Sequence, residues 1–431
     1  MRAGLLAFAC VWFGIGVCWA QGPENVEVHR YDGMGYAPCE PSIAISPVDP
    51  MVMVAGSILD NVYTSADGGA TWSRDRLQSP HGVFGDPCVV AGASGDFYYL
   101  HLSDPTGKGW SDPGLLDRIV CQRSTDGGGR WSRGSFMGLN GAKDQDKEWA
   151  DVAPNGKRIA ACWTQFDRYG STAAEDSSTI LCATSNRRAR RWSSPVRISA
   201  VAGDCKDSDD TVEGAVPAFG PDGALNVVWA RGEHLWFNRS EHGGKKWMEQ
   251  EVAVADLFGG WDREIPGIGR GNGMPVTDVD CSEGPHRGRI YVNWTDLRSG
   301  DSDVFVCHSD DHGATWSTPE RVNGDDSATD QFFTWMAVDD VTGFVHVVYY
   351  DRSANATPTG LKTEVVVATS FDGGAVWEHQ VVSESAFEPG KAAFFGDYNN
   401  IAAHGGVVRP IWTREDRGLL SVWVALMDFA P

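Results

Sequence analysis

Short apolar runs, many alternating with polar residues, recur along the chain between clusters of Gly, Pro, Asp and Ser. One stretch shows the arrangement in full. Ala215–Phe219 precedes the turn Gly220-Pro221-Asp222-Gly223, and Ala224–Trp229, His234–Asn238 and Trp247–Val254 follow. Such runs, bounded by turn formers, specify β-strands. Nowhere is a helical spacing of apolar residues sustained over three turns. The expected fold class is all-β.

The same frame repeats. A pattern Ser-x-Asp-x-Gly-x-x-Trp is complete at Ser65–Trp72, Ser124–Trp131, Ser309–Trp316 and Ser370–Trp377. At Ser240–Trp247 His242 replaces the Asp, and at Ser185–Trp192 only the end residues survive. The copies lie roughly 60 residues apart, a period typical of repeat architectures. Their chemistry is that of a hairpin turn. Short Ser and Asp side chains accept hydrogen bonds from turn N–H groups, Gly permits positive φ at the corner, and Trp buries its ring between sheets. One Asp per turn supplies too few oxygens for calcium.

Each copy stands between the third and fourth of four strands, A to D, which describes a propeller blade. After Trp377, Asn400–His404, Val408–Trp412 and Leu420–Met427 supply three strands, and Val26–Tyr31 near the start has no partners of its own. Adding it as the fourth strand of the last blade gives a β-propeller of seven four-stranded blades with no open edge. Six blades, with one unit degraded, is the alternative. No linker interrupts the series, so residues 21–431 are expected to form one domain.

Composition changes the picture in three places. Arg2, the apolar stretch Leu5–Val17 and the small residues Cys18 and Ala20 before Gln21 read as a signal peptide over residues 1–20, so a secreted or periplasmic protein without membrane insertion is expected. A formal charge of −22 repels nucleic acid and anionic membranes as partners. Eight cysteines follow the leader without Cys-x-x-Cys spacing, so zinc is not expected. Cys162 and Cys182 are placed to pair across neighbouring strands, and the others can be thiols or disulfides. No metal or cofactor is expected.

In such a blade the D-to-A connections and B-to-C loops open on the face opposite the repeat turns, where variable loops on a rigid scaffold gather function. The D-to-A connections bring Glu40, Asp86, Asp146 with Glu148, Glu213, Asn272, Asp330 with Gln331, and Asp397-Tyr398. The B-strand ends bring Asp167-Arg168, Arg231, Asp296 with Arg298, Asp351-Arg352 and Arg414, each near an aromatic residue. Either these acids cap backbone N–H groups and pair locally, each pair worth under about 1 kcal/mol, or they converge with the aromatics on one concave face where neighbouring charges perturb each other's pKa.

The repeat turns and blades resemble the sialidase (neuraminidase, BNR-repeat) superfamily over essentially the whole chain after the leader. That resemblance implies a secreted exo-glycosidase acting on terminal, acidic sugars of extracellular glycans. It also implies arginines gripping a substrate carboxylate, an aspartic acid, and a Tyr nucleophile assisted by a Glu. By residue type and chain order the implied catalytic residues are Asp86 as general acid, Glu213 as base and Tyr398 as nucleophile, with Tyr350 a second candidate. Arg231, Arg298 and Arg352 would hold the carboxylate, with Asp296, Asp351 and Asp397 beside them, and Trp149 or Trp335 would stack on a sugar or pack in the core. The family's N-terminal Arg-Ile-Pro signature is absent. The nearest string, Arg263-Glu264-Ile265-Pro266, lies between the fourth and fifth units. Two other functions fit the same face: a non-catalytic propeller binding glycan or protein, or a glycoside hydrolase or polysaccharide lyase using two carboxylates such as Asp86 and Glu213.

Overall fold

Tight turns return each apolar run beside its predecessor, so the strands pair in sequence order as antiparallel meanders. The computed structural model describes residues 22–390 and 394–430; the expected leader, residues 1–20, lies outside them. Seven sheets of four strands form the ring. Their innermost strands are Ser42–Ile45, Cys88–Ala91, Asp144–Val152, Glu213–Phe219, Val276–Val279, Gln331–Val338 and Asn400–His404, in blades 1 to 7. Each packs on the next, and the last on the first. The seven-bladed expectation holds.

Closure comes from the chain's beginning. The strand Glu24–Arg30 lies antiparallel against Leu419–Asp428, with Glu24 opposite Leu426 and Arg30 opposite Ser421. Asn25 fastens it to blade 6, donating from Nδ2 to the carbonyl of Val382 at 2.7 Å and accepting from the N–H of Glu384 at 2.9 Å. His29 reaches across to the Tyr63 hydroxyl of blade 1 at 2.8 Å. Apart from the blades, one short hairpin, Asp262–Arg263 with Gly271–Asn272, stands between blades 4 and 5. The described residues include no helix long and apolar enough to cross a membrane.

The core sits between blades. Trp163, Trp229, Trp294 and Trp412, all on second strands, are fully buried, and burying a large apolar side chain is worth about 1.5–3 kcal/mol. The repeat turns behave as their chemistry requires. In blade 1 the Ser65 hydroxyl accepts from the N–H of Gly69 at 2.9 Å and donates to Asp67 at 2.8 Å. Asp67 accepts from the N–H of Thr71, and the Trp72 indole donates to the Gly69 carbonyl, both at 2.9 Å. The turn at Ser240 keeps its Ser–Gly244 and Trp247–Gly244 bonds without the acid. Cys162 stands opposite Cys182 in register, yet all eight cysteines after the leader are free thiols.

Candidate active site

A kink marks where most of the innermost strands begin. Glu40, Asp86, Lys147 and Phe333 have φ of 53°, 43°, 54° and 47°, and Gly214 and Gly396 adopt the same left-handed conformation in blades 4 and 7. The ladder slips register there, between Asp146 and Trp149, Glu213 and Val216, and Phe332 and Trp335. A residue with a side chain costs roughly 1 kcal/mol or more in that conformation. The kinks sort the side chains. Glu40, Asp86 and Lys147 line a cavity of about 260 Å³ on the face away from the repeat turns. Two positions beyond the kinks, Trp149, Trp335 and Tyr398 meet inside the channel, with ring centroids 4.3 Å apart for the tryptophans and 4.9 Å for Trp149 and Tyr398.

The cavity draws its walls from D-to-A connections and B-to-C loops. Asp86, Asp146, Lys147, Glu40 and Asp397 lie at its base, and Arg270 and Tyr169 on one side. The rim is aromatic. Trp110, Tyr36 and Phe394 are 70%, 58% and 49% exposed, and Trp110 packs against Phe84 and Tyr169. Aromatic rings exposed around a concave site give it flat apolar walls beside its charged base.

Two cations organise the acids. The Lys147 ammonium sits 2.6 Å from Asp397 and 3.6 Å from Asp86. Arg270 contacts Asp207 at 2.6 Å and Asp397 at 3.4 Å, and the Tyr169 hydroxyl donates to Asp207 at 2.6 Å. The Asp397 N–H donates to Glu40 at 3.1 Å. Burial favours the neutral form of a carboxyl, and neighbouring carboxylates add to it. Asp146 is pushed up to about 7 by burial and then by Asp86. Glu40 rises well above its usual range by burial, Asp86 and Asp397, and Asp86 rises by burial against the pull of Lys147. Asp207 goes the other way: burial opposes it, but Arg270 and Lys147 hold its carboxyl low.

The sequence-expected residues divide. Asp86 and Asp397 line the cavity. Glu213 is buried behind it, both oxygens without a protein hydrogen bond, raised by burial and by Asp207. Tyr398 is 2% exposed, its hydroxyl has no protein partner, and its ring belongs to the channel plug rather than to the cavity lining. The arginines do not converge. Arg231 pairs with Glu251 and lies over Trp236. Arg298 grips Asp296 with two nitrogens among Phe258, Trp294 and Phe305. Arg352 is fully buried, donating to the carbonyl of Pro266 at 2.6 Å, while Asp351 accepts from Gln331 and Ser353. Each of these guanidiniums is taken up by a separate acid, carbonyl or ring, so the aromatic–Asp–Arg strand ends are structural clamps in this fold. Arg263 is likewise buried against Thr295 and Gly260. The second tyrosine candidate, Tyr350, donates to the Thr413 carbonyl within the core.

Lys147, Tyr169, Asp207, Arg270 and the aromatic rim escaped the sequence reading. Lys147 stood between two acids that drew the attention. Arg270 sits in the longest D-to-A connection, between Asp256 and Val276, and that excess length was the available signal; Asp207 lies in a connection of no unusual length.

The ring of seven four-stranded meanders is a β-propeller with a cavity of acids and aromatics on one face. No family model matches the chain. Among solved structures, the phage phi92 endosialidase aligns with a TM-score of 0.52 at 9% identity, covering 95% of this chain and 70% of that one. A protein of unknown function from Dyadobacter fermentans aligns at 0.51 with 11% identity, covering 94% and 99%. The Hadza microbial sialidase Hz136 aligns at 0.48 with 15% identity, covering 88% and 73%. The chain has the fold of sialidase-like propellers.

Proposed function

We propose that this chain is a glycoside hydrolase whose reaction runs on the Asp86–Asp146 pair. One observation carries the reading: in a cavity rimmed by exposed aromatics, Asp146 is raised to about 7 beside Asp86, which an ammonium contacts at 3.6 Å. Burial raises both carboxyls, and the Lys147 contact favours ionisation at Asp86 first, so one of the pair supplies an acid and the other a base. Asp146, protonated near neutrality, donates to the leaving glycosidic oxygen. Asp86, favoured as carboxylate by Lys147, activates water or attacks the anomeric carbon. Lys147 and Asp397 orient it, and Trp110 and Tyr36 stack on the sugar. This assigns Asp86 the base role and gives the acid role to Asp146.

The sialidase-like scheme, with Tyr398 as nucleophile, Glu213 as base and Arg231, Arg298 and Arg352 on an acidic sugar, is the rival. The two are separated by activity on a panel of aryl glycosides that includes a sialoside and uronides. Asp146→Asn and Asp86→Asn should each cost about 10² or more in kcat/KM, and Tyr398→Phe should keep turnover within a few-fold. The kcat/KM of the wild type should fall as pH rises through about 7, because Asp146 must carry its proton. Retained activity in Asp146→Asn with loss in Tyr398→Phe would transfer the chemistry to the tyrosine. Turnover of no glycoside would leave a binding propeller.

A further inference from the structure

The repeat turns that depart from their pattern are adjacent. In blade 3 the turn reads Arg187-Arg188-Ala189-Arg190-Arg191, with Arg187 where other blades place the Asp. Blade 4 has His242 there and then Lys245-Lys246, and blade 2 keeps Asp126 but adds Arg130 and Arg133. All these basic side chains are exposed. Nearby Arg123 and Arg239 are paired with Asp96 and Asp222, but among the described residues no carboxylate lies within ion-pair distance of the turn cations. Asp126 and Glu241 are the acids on the same turns.

The turns are knitted into one surface. The Tyr98 hydroxyl of blade 2 donates to the Arg187 carbonyl at 2.6 Å. Trp192 of blade 3 donates to the Ser135 hydroxyl of blade 2 at 3.0 Å, and that hydroxyl donates to the carbonyl of Ala189. The N–H of Arg187 meets the carbonyl of Lys157 at 3.2 Å, and Arg158 donates to the carbonyls of His242 and Gly243 in blade 4. Lys157 and Arg158 therefore bridge the gap between the blade 3 and blade 4 turns, and the cations form an arc.

The fold does not ask for this charge, since the blade 4 turn closes through Ser240, Gly244 and Trp247 alone. Clustered unpaired cations repel one another, and here they do so in a chain of net charge −22. We propose that the arc binds a linear polyanionic polysaccharide bearing sulfate or carboxylate groups. Guanidinium forks match those anions with two parallel bonds. His242 is the one exposed ring on the three turns and Met248 the one large apolar side chain exposed beside them, too little for base stacking along single-stranded nucleic acid or for an apolar anchor in lipid. An anionic membrane is disfavoured by shape as well. A plane laid on these turns also meets the acidic turns of blades 1, 5 and 6, with exposed Asp310, Asp311 and Asp372 and half-buried Asp67, whereas a thin chain follows the arc alone.

The test is calorimetric titration of the protein with dextran sulfate and with neutral dextran, for wild type and the double variant Arg188→Glu/Arg190→Glu. Both side chains are exposed, and the variant's thermal melt and glycoside activity should match the wild type. Dextran sulfate should bind, neutral dextran should not, and the variant should bind about tenfold or more weakly. Affinity should fall steeply between about 50 and about 300 mM salt. No binding of dextran sulfate, or equal binding by the variant, overturns the proposal. Tighter binding of phosphatidylserine vesicles or duplex DNA, with the same sensitivity to the variant, overturns the partner.

Discussion

Glu148 is a carboxyl whose side chain meets no hydrogen-bonding group. It is buried at the start of the third innermost strand with both oxygens unpartnered, and burial, then Asp86, raises its pKa well above the usual range. A group whose folded pKa is raised stabilises the protein fully below its unfolded value, and that stability is lost as pH rises toward the folded value. Glu148→Gln keeps the neutral shape. Relative to this variant, the wild type should lose up to about 1.4 kcal/mol per pH unit above the ordinary glutamate range. Chemical denaturation from pH 5 to pH 8 reads the difference, and parallel stability curves would show that Glu148 does not take up a proton on folding. The same residue scale explains why Tyr398 and Asp86 part company although both begin innermost strands. Asp86 stands at the left-handed kink and Tyr398 two positions beyond it, which separates the cavity base from the channel plug.

The repeat turn is the element whose chemistry was most legible, because all its bonds are local. Asp372 shows this: its carboxylate accepts from the Ser370 hydroxyl at 2.8 Å and from the N–H groups of Ala375 and Val376 at 3.1 and 3.0 Å. Asp372→Ala removes a cap on an exposed turn, so a loss near the lower end of about 0.5–2 kcal/mol is expected. Glycoside turnover should be unchanged, the cavity lying on the other face. A folded variant with native melting temperature and lost activity would give this turn a catalytic part. The B-strand ends were legible as a pattern and not as a function. Recurrent aromatic–Asp–Arg looked convergent along the chain, but the arginines stack on separate rings, as Arg414 does on Phe387 and Trp423 while pairing with Asp416.

The ring is closed by one strand from the far end of the chain, so the molecule's cooperativity passes through it. Deleting residues 22–31 opens blade 7, leaves the edge of Leu419–Asp428 unpaired and frees the Asn25 contacts to blade 6. The melting temperature should fall by about 5–10 °C, and a synthetic peptide of residues 22–31 should restore part of it by adding back the strand. An unshifted melt would show that the ring holds without its closing strand. The two faces then have separate chemistry: acids and aromatics at the cavity, unpaired arginines on the turns of blades 2 to 4.

What the amino-acid order determined by itself is whatever rests on contacts near in sequence or on counting. Hairpin turns, four strands to a blade and seven blades with a borrowed strand follow from local alternation, glycine at corners and the demand that no sheet edge stay open. Which side chains share a cavity is decided by contacts distant in sequence. Lys147 meets Asp397 across 250 residues of chain, and Arg270 meets Asp207 from a hairpin that belongs to no blade. Only the closed ring sets those distances, and with them the burial that lifts Asp146 toward neutrality.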